Sequence, residues 1–418
     1  MKRYKELWSK ICTYNNFRKA YKNAIKGKKH YTEVKEIEKN PYKYLHALLD
    51  EVRNKEYKVS DYTIFDRFTG GKMREIYKLP MKDRIVQHAI MLHLEPIFRE
   101  TFIQDTYASI KTRGIHLGME RLKRALKDTE YQYAMKLDIH KCYPSLDKEI
   151  LKKKLSRKFE DKDLQWLLNS IIDSCEKGVP IGNYTSQYFN NFYFSDFDHW
   201  CKEKKGCKYY FRYCDDIVIL GKSKEWLHKL LDEIREQMEL LNVRLKDNYQ
   251  IYPIDKHGVD FLGYITYRDY IRVRKITKKH FISKVLDVDK QHITKKQVNM
   301  LGSYWGIFVH ADCRNLWKKY IGVKQFKDLG VRTHDRLFVK DVVGIPIIIE
   351  GVAFYYRKKD RWLRIIANYT DNDGVKHEKA YIHTQGCKLI DVAEQLCRSM
   401  FPFETVIKED SRGYYEFT

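Results

Sequence analysis

The stretch Phe211–Leu220, FRYCDDIVIL, places two adjacent carboxylates, Asp215 and Asp216, between two apolar arms. Successive side chains of a strand point to opposite faces of a sheet, so one of two neighbouring aspartates inside a strand would be buried. Burial of an unpaired carboxylate is costly. We therefore expect a hairpin with arms Phe211–Cys214 and Ile217–Leu220 and an acidic tip in a solvent-filled cleft. Asp-Asp is not the Asn-Gly pair that tight turns prefer, so turn propensity does not explain the motif.

A third carboxylate stands at the end of another apolar strand. Asp138 ends this strand in YAMKLDI, and Tyr143 follows five residues later. If the two strand ends are adjacent in one sheet, three carboxylates meet and repel one another unless divalent cations lie between them. Mg²⁺ favours a few carboxylates plus phosphate oxygens, and a pair of ions can activate a 3′-hydroxyl and stabilise a leaving pyrophosphate. The alternative is that each aspartate is a turn or helix-cap residue.

The composition points to a polyanionic partner. The 418 residues include 80 Lys+Arg against 56 Asp+Glu, a formal charge of +24, with 43% hydrophobic residues. Such an excess favours nucleic acid or an anionic membrane surface, although a generically basic soluble protein is the alternative. No apolar run approaches the roughly 20 residues of a membrane span, and MKRYKELWSK lacks the apolar region of a signal peptide. We therefore expect nucleic acid as the partner, no membrane, and a cytoplasmic location.

The nine cysteines follow no metal-ligand or disulfide spacing. An odd number without pattern is typical of reduced thiols in a cytosol. Cys201 and Cys207, which flank basic residues, are interpreted as incidental.

Helices and strands alternate along the chain in a mixed pattern. We expect basic helices up to about residue 60, a hairpin around Gly70-Gly71, and a helix that begins with Asp83 as its N-cap. Further helices are predicted over 115–127, 161–174 and most of 277–321. From about residue 345 alternating segments predict strands, and 388–399 predicts a helix.

These segments together resemble the reverse transcriptases. YCDD resembles the Y-x-D-D box, LDIHKCYPSLD the first catalytic block, and GVPIGNYTSQYFNNFYF the block that contacts nucleotide and template. LKDNYQIYP and DFLGY resemble the next block and the primer-grip hairpin. REIYKLPMKDRIVQHAI and FIQDTYASIKTRGIH resemble the fingers blocks of bacterial retroelement enzymes. The resemblance covers roughly residues 1–320, in order and at ordinary spacing.

The resemblance implies an α+β fold, a right-hand polymerase with an antiparallel palm sheet plus helices. The expected parts are an N-terminal helical extension, fingers, palm, helical thumb and a small C-terminal α+β domain of uncertain role, over residues 1–60, 61–135, 136–268, 269–330 and 345–418. In the last part, aromatic and basic residues alternate. They could stack single-stranded bases or form the core of the domain, and we favour the core.

The resemblance also implies roles for individual residues. Asp138, Asp215 and Asp216 would bind two Mg²⁺ ions, or Mn²⁺, with the backbone carbonyl of Ile139, and Lys246 would protonate pyrophosphate as a general acid. Tyr143 would lie under the sugar of the dNTP and exclude a 2′-hydroxyl. The expected nucleotide contacts are Tyr143, Arg74, Arg113, Gly182 and Gln187. The expected fidelity and template residues are Ile181, Asn183 and Ser186. The expected primer-grip residues are Phe261, Leu262 and Gly263.

Two of these expectations also rest on general chemistry. A guanidinium pairs with phosphate through two hydrogen bonds, which suits Arg74 to the triphosphate. Gly182 lacks a Cβ, which suits a place where the backbone comes close to nucleotide or template.

The block at 181–187 reads I-G-N-x-T-S-Q, whereas most bacterial reverse transcriptases carry Q-G-x-x-x-S-P there. This departure, with the thumb segment GSYWGIFVHADCRNLWKKYIG, resembles the enzymes of diversity-generating retroelements. The resemblance implies a bacterial or phage enzyme that copies a template-repeat RNA into an RNA–cDNA hybrid with errors at template adenines, for mutagenic retrohoming. It also implies a multimeric accessory variability protein as a partner.

Two other readings stay open. One is a defence-associated or other unclassified bacterial reverse transcriptase. The other is a non-catalytic RNA-binding scaffold, against which the presence of all three aspartates argues.

Overall fold

The computed structural model describes residues 2–69, 72–286, 288 and 294–322, and the strands at 336–338, 346–357, 360–370, 376–384, 403–409 and 415–417. The chain divides into two compact units. The first contains Met1–Lys278 and His310–Asp312, and the second contains Lys279–Val309 and Cys313–Thr418.

The chain begins with four helices, as predicted: α1 (Leu7–Ile11), α2 (Tyr14–Ala24), α3 (Thr32–Lys39) and α4 (Pro41–Arg53). The side chain of Thr13 caps α2, and that of Asn40 caps α4, where Pro41 occupies the first position. Their buried faces belong to the same hydrophobic cluster as part of the buried residues of the central sheet, among them Met135, Leu137 and Ile217. The N-terminal extension therefore shares a core with the rest of the first unit.

An antiparallel hairpin follows, formed by β1 (Thr63–Thr69) and β2 (Lys72–Lys78). It leads into α5 (Met81–Thr101), and α6 (Ile115–Ala125) comes next. The prediction that Asp83 is the N-cap of α5 is wrong, because the helix begins at Met81. Asp83 is buried in the first turn and accepts hydrogen bonds from the Tyr57 hydroxyl at 2.6 Å and the Ser60 N–H at 3.1 Å.

The central sheet has four strands in the order β4-β5-β3-β6, all antiparallel: β3 (Tyr133–Asp138), β4 (Tyr210–Tyr213), β5 (Asp216–Gly221) and β6 (Gln250–Pro253). It is accompanied by α7 (Lys148–Lys158), α8 (Lys162–Asp173), α9 (Tyr184–Tyr193), α10 (Ser195–His199), a π-helical turn (Trp200–Lys204) and α11 (Lys224–Leu240). The apolar stripe of α11 is buried, as its helical spacing predicts.

The first unit also contains the short helix α12 (Ile254–His257) and a three-stranded antiparallel sheet. Its strands are β7 (Val259–Phe261), β8 (Tyr264–Thr266) and β9 (Ile271–Val273). The helix α13 (Lys275–Leu286) leads from the first unit into the second.

The second unit contains α14 (Lys295–Phe308) and α15 (Arg314–Ile321), in agreement with the predicted helices. Phe281, Phe308 and Trp317 form an aromatic core there. The sheet of this unit has the order β10-β13-β12-β11-β14-β15. Its strands are β10 (Arg336–Phe338), β11 (Pro346–Arg357), β12 (Asp360–Thr370), β13 (Lys376–Thr384), β14 (Phe403–Glu409) and β15 (Tyr415–Phe417). The helix predicted over 388–399 lies outside the described residues.

The observed mixture of helices and mainly antiparallel sheets, in which only β10 and β13 of the described strands pair in parallel, is the predicted α+β class. The division of the first unit into fingers and palm at particular residues stays a prediction. Among the helices that the structure describes, none has the length and apolarity to cross a membrane.

Candidate active site

The register of the central sheet brings the three predicted aspartates together at one end of its two middle strands, β3 and β5. Asp138, the last residue of β3, lies opposite Asp216, the first residue of β5. Asp215 lies in the turn between β4 and β5, and its carbonyl accepts a hydrogen bond from the N–H of Ile139 at 3.0 Å. The turn consists of Cys214 and Asp215, because Asp216 already pairs with Tyr213. The hairpin is confirmed, and its predicted acidic tip shifts by one residue.

The carboxylate of Asp216 is buried and only partly compensated by its neighbours. Its Oδ1 is buried and has no hydrogen-bond partner. Burial raises the pKa of Asp216 to about 7, and the neighbouring Asp138 and Asp215 carboxylates add to the rise, while Lys136 and Arg274 oppose it. The Lys136 ammonium is 3.9 Å from Asp216 Oδ1, which is too far for a hydrogen bond. An orphaned, buried carboxylate oxygen fits a divalent cation.

The carboxylates do not form a closed metal cage. Among the described residues, no three His, Cys, Asp or Glu side chains converge closely enough to hold a metal ion by themselves. Like charges repel when no cation lies between them. Mg²⁺ commonly takes one or two carboxylates plus substrate phosphates and water. The residues therefore fit an ion that is held jointly with a phosphorylated substrate.

Lys246, the predicted general acid, lies beside Asp138 at this end of the sheet. Its N–H donates to the Asp138 carbonyl at 2.8 Å, and its ammonium is 3.5 Å from Asp138 Oδ1. The bridge between Ile139 and Leu245 holds the two segments side by side. The positive charge of Lys246 at this place can offset the negative charge of the carboxylates and can face a phosphate.

Tyr143 packs against the two-residue turn of Cys214 and Asp215, which we name the catalytic turn. Its hydroxyl is 3.6 Å from the Cys214 sulfur, and burial raises the pKa of the hydroxyl above its usual range. The loop after α8 lies on the Tyr143 backbone, where the Val179 N–H donates to the Tyr143 carbonyl at 3.0 Å. Gly178 is required there, because its φ is +57° and a Cβ would lie 2.2 Å from that carbonyl. Sequence reasoning missed Gly178, although a glycine in a Gly/Pro loop is a visible signal.

The block at 181–187 binds the β1–β2 hairpin. The Ile181 carbonyl accepts from the Tyr77 N–H at 2.8 Å, and Ile181 is half-buried. Gly182 has a φ of +132°, and a Cβ would lie 2.2 Å from the Tyr77 carbonyl. The close approach at Gly182 is therefore to protein backbone, whereas the sequence reasoning assigned it to nucleotide or template.

The predicted template residues of this block differ in exposure. Asn183 and Ser186 are buried, and the Asn183 amide donates to the Tyr62 hydroxyl at 2.9 Å. This placement corrects the prediction of template contacts by these two side chains, because both point into the protein. Gln187 is exposed on α9. Gln87, which sequence reasoning missed, accepts from the first N–H of α9, that of Tyr184, at 2.8 Å.

The two predicted nucleotide-binding arginines lie in different settings. Arg74 is exposed on β2, opposite Arg67. Burial raises the pKa of the Cys214 thiol, and the hydrogen bond to Tyr143 together with the charges of Arg212 and Arg74 opposes that rise. Arg113 is half-buried and donates to the Ile103 carbonyl at 2.6 Å. Part of its guanidinium therefore already has a partner within the protein.

The predicted primer-grip segment is a tight turn between β7 and β8. Phe261 is buried beside Phe211, with ring centroids 6.4 Å apart, so the prediction of a primer contact by this side chain is corrected to a core position. Leu262 and Gly263 form the turn, with φ of 56° and 91°. A Cβ on Gly118 of α6 would lie 2.6 Å from Leu262 Cδ1, so the turn packs tightly on that helix.

Comparison with known proteins supplies a family match. Residues 66–266 match the family described as "Reverse transcriptase (RNA-dependent DNA polymerase)". Protein YkfC of Escherichia coli (strain K12) is 24% identical over 242 residues, which cover 47% of this chain and 64% of that protein. Retron Ec73 reverse transcriptase of Escherichia coli is 26% identical over 198 residues, which cover 44% of this chain and 60% of that protein. The chain thus spans somewhat less than two thirds of each relative.

A solved structure also matches. The telomerase from Candida albicans, in complex with a fragment of telomeric RNA, is 12% identical with a TM-score of 0.41, and the match covers 65% of this chain and 58% of that one. The family match over 66–266, together with the antiparallel sheet whose middle strands carry the aspartates at one end, confirms the predicted right-hand polymerase fold.

Proposed function

We propose that this chain, which carries a reverse transcriptase domain over residues 66–266, is an RNA-directed DNA polymerase. The observation that carries the proposal is the pairing of Asp138 with Asp216, with Asp215 in the adjoining turn. Strand ends that gather carboxylates beside a lysine and an arginine-bearing hairpin suit the transfer of a nucleotidyl group. The substrates proposed are template RNA, a primer and dNTPs.

The three aspartates and the carbonyl of Ile139 are proposed to hold two Mg²⁺ ions. When bound, these ions lower the pKa of the primer 3′-hydroxyl and stabilise charge on the leaving pyrophosphate. The buried, unpartnered Oδ1 of Asp216 supports this assignment. Mn²⁺ is expected to bind the same oxygen ligands.

The remaining residues bind and orient the substrates. Arg74 pairs with the triphosphate, and Tyr143 lies beneath the sugar, where its ring excludes a 2′-hydroxyl. The primer 3′-hydroxyl gives up its proton to solvent, and its oxygen forms a bond to the α-phosphorus while the bond from the α-phosphorus to the bridging oxygen breaks. Lys246, whose ammonium is 3.5 Å from Asp138, gives a proton to the departing pyrophosphate.

The finer assignment is to the diversity-generating retroelements. It is supported by the I-G-N-x-T-S-Q block and by the thumb segment at 302–322. Under this assignment the enzyme copies a template-repeat RNA with errors at adenines for mutagenic retrohoming, together with a multimeric accessory protein. The half-buried Ile181, whose carbonyl accepts a hydrogen bond from Tyr77 of the β1–β2 hairpin, lies where most bacterial reverse transcriptases carry glutamine.

A second assignment, a defence-associated or other bacterial reverse transcriptase, is favoured by the retron relative. The genomic neighbourhood separates the two. A nearby pair of near-identical repeats that differ at adenines supports a diversity-generating retroelement, and a reverse transcriptase gene without such repeats supports the second assignment.

Primer extension on poly(rA)/oligo(dT) with Mg²⁺ tests the activity. We expect incorporation of dTTP by the wild-type protein and none by the Asp215→Ala protein. Incorporation no higher than that of Asp215→Ala contradicts both polymerase assignments and leaves the RNA-binding scaffold.

A further inference from the structure

We infer that Arg212 is a positioning residue that holds the catalytic turn in the conformation that binds metal. The inference rests on the proposed function, because it concerns the same carboxylates. Arg212 lies on β4, one residue before the Tyr213–Asp216 pair, and its side chain is fully buried within the protein.

Arg212 forms a fully buried ion pair with Asp198 of α10. Both side chains are 0% exposed. Nε of Arg212 donates to Asp198 Oδ1 at 2.7 Å, and Nη2 donates to Oδ2 at 2.6 Å. The hydroxyls of Thr106 and Tyr210 also donate to Asp198. The carboxylate is therefore saturated, and the guanidinium plane is fixed by two parallel bonds.

The third nitrogen of the guanidinium reaches the catalytic turn. Nη1 donates to the Cys214 carbonyl at 3.2 Å and lies 3.4 Å from the Asn191 side-chain oxygen. The Asp215 carbonyl accepts from the Ile139 N–H. Both carbonyls of the two-residue turn are thus held from the protein side. The carboxylates of Asp215 and Asp216 are carried on this restrained backbone.

The turn needs such a restraint, because its backbone is strained. Cys214 has a φ of 52°, in the left-handed region, where a hairpin turn normally places glycine or asparagine. A residue with a Cβ persists there only when the surrounding structure imposes the conformation. The hydrogen bond from Arg212 to the Cys214 carbonyl and the contact between Tyr143 and the Cys214 sulfur hold Cys214 in this conformation.

The geometry of the guanidinium explains why an arginine, and not an apolar residue or a lysine, occupies position 212. A buried ion pair is often no more stabilising than an apolar pair of the same size, so stability alone does not account for it. The guanidinium carries five N–H donors in a rigid fork and bonds the carboxylate and the carbonyl at once. A lysine ammonium at this place would keep the ion pair but could not span both acceptors in that geometry.

The test measures Mn²⁺ binding by the metal-free, full-length protein with electron paramagnetic resonance, without nucleic acid or dNTP. For Arg212→Lys we expect about tenfold weaker binding, which corresponds to about 1.4 kcal/mol. We also expect that primer extension by Arg212→Lys recovers as the Mg²⁺ concentration is raised. Generic destabilisation would not produce this recovery.

The matched control is Arg268→Lys. Arg268 is also mostly buried and pairs with Asp255 at 2.6 Å, and it donates to the Tyr131 carbonyl at 3.1 Å. Tyr131 precedes β3, whose opposite end carries Asp138. We expect Arg268→Lys to bind Mn²⁺ as the wild type does. Wild-type binding by Arg212→Lys, or equal weakening in both variants, overturns the inference.

A second variant covers the case in which Arg212→Lys does not fold. The double variant Arg212→Gln/Asp198→Asn removes both charges, so neither is left buried without a partner. The two introduced amides can bond each other, but the shorter side chain at position 212 cannot also reach the Cys214 carbonyl. Weakened Mn²⁺ binding with an unchanged circular dichroism spectrum supports the inference, and wild-type binding overturns it. If the wild-type protein itself neither binds Mn²⁺ nor extends a primer, the proposed function fails instead.

Discussion

Two hairpins serve the candidate site, and they are built in opposite ways. The β4–β5 hairpin lies inside the four-stranded sheet, its arms are largely buried, and both carbonyls of its turn accept hydrogen bonds. The β1–β2 hairpin forms a sheet of its own, and Phe68 and Met73 are 67% and 61% exposed. The first hairpin carries carboxylates at its turn, and the second carries one exposed arginine on each of its two strands, Arg67 on β1 and Arg74 on β2.

The difference follows from the binding partner proposed for each set of charges. Carboxylates that share a cation repel one another until it arrives, so a rigid frame has to hold them in place. Arg74, which lies opposite Arg67 in the β1–β2 hairpin, is proposed to bind the triphosphate, a polyanion that brings its own counter-charge. We therefore expect substitutions in the β4–β5 turn to act on metal binding and catalysis, and substitutions in the β1–β2 hairpin to act on substrate affinity.

The largest effect is expected for Asp216→Asn. Loss of a metal ligand removes several kcal/mol of transition-state stabilisation, so extension should fall by on the order of 10³-fold. The same change should stabilise the metal-free protein, because burial holds the pKa of Asp216 at about 7 and its ionised form is costly at pH 8. Thermal unfolding at pH 8 with EDTA should show a midpoint a few degrees higher. A lower midpoint would mean that the charge is already compensated by the protein.

Tyr143→Ala should open the sugar pocket beside the same turn. We expect the preference for dNTP over rNTP to fall about 100-fold, because a 2′-hydroxyl would then find space, a difference of roughly 3 kcal/mol. The measurement is the ratio of kcat/KM for the two nucleotides. Tyr143→Phe is the matched control, since it keeps the ring and should keep the preference. A Tyr143→Ala enzyme that still rejects rNTP would assign the gate to another residue.

Arg74→Ala tests the exposed hairpin. A charge-assisted hydrogen bond contributes roughly 1.5–3 kcal/mol, so the KM for dNTP should rise at least tenfold. The unfolding midpoint should stay unchanged, because Arg74 is exposed. Arg157→Ala, an exposed arginine on α7, is the control and should leave the KM unaltered. A lower kcat with an unchanged KM for Arg74→Ala would erase the distinction between the two hairpins.

Ile181→Gln restores the residue common among bacterial reverse transcriptases, where the 181–187 block meets the β1–β2 hairpin. We expect a several-fold lower error frequency at template adenines, read by sequencing of the cDNA. Ile181→Val, which preserves an apolar side chain, should keep the wild-type error frequency. Unchanged adenine errors in Ile181→Gln would separate fidelity from this block.

The smallest effect concerns His88 of α5, whose ring stacks on Tyr184 at the start of α9. Burial, with the charges of Lys28 and Arg84, lowers the pKa of His88 to about 4. The unfolded chain then binds a proton that the folded chain does not, so this contribution to stability is intact above about pH 6.5 and declines as the pH falls toward 4. We expect His88→Phe to lose less of its unfolding midpoint over that range than the wild type. An identical decline in both proteins would contradict the assignment.

The sequence was sufficient to predict that Asp138 and Asp216 would meet, because each stands at the end of an apolar strand. It also predicted the order of helices and strands through their periodicity. It did not predict which sides of the 181–187 block and of the β7–β8 turn are buried, so Asn183, Ser186 and Phe261 were expected at the substrate. Burial there is decided by contacts with Tyr62 and Phe211, which lie far away in the chain.

The Arg212–Asp198 pair was missed for a related reason. Asp198 lies in an aromatic-rich helix and Arg212 in a strand, and nothing local links them. A signal did exist, since an arginine between two aromatics in a buried strand needs a partner for its charge. Asp83 likewise has the position of a helix cap in the sequence, yet Tyr57 and Ser60 recruit it as an acceptor in the interior.

The most direct test of the central claim is single-turnover extension of a DNA primer on an RNA template, measured across Mg²⁺ concentrations with wild-type and Asp215→Ala proteins. We expect extension by the wild type that depends on Mg²⁺ and stops when EDTA is added, with none by Asp215→Ala. Equal extension by both proteins, or none by the wild type at any Mg²⁺ concentration, would contradict it.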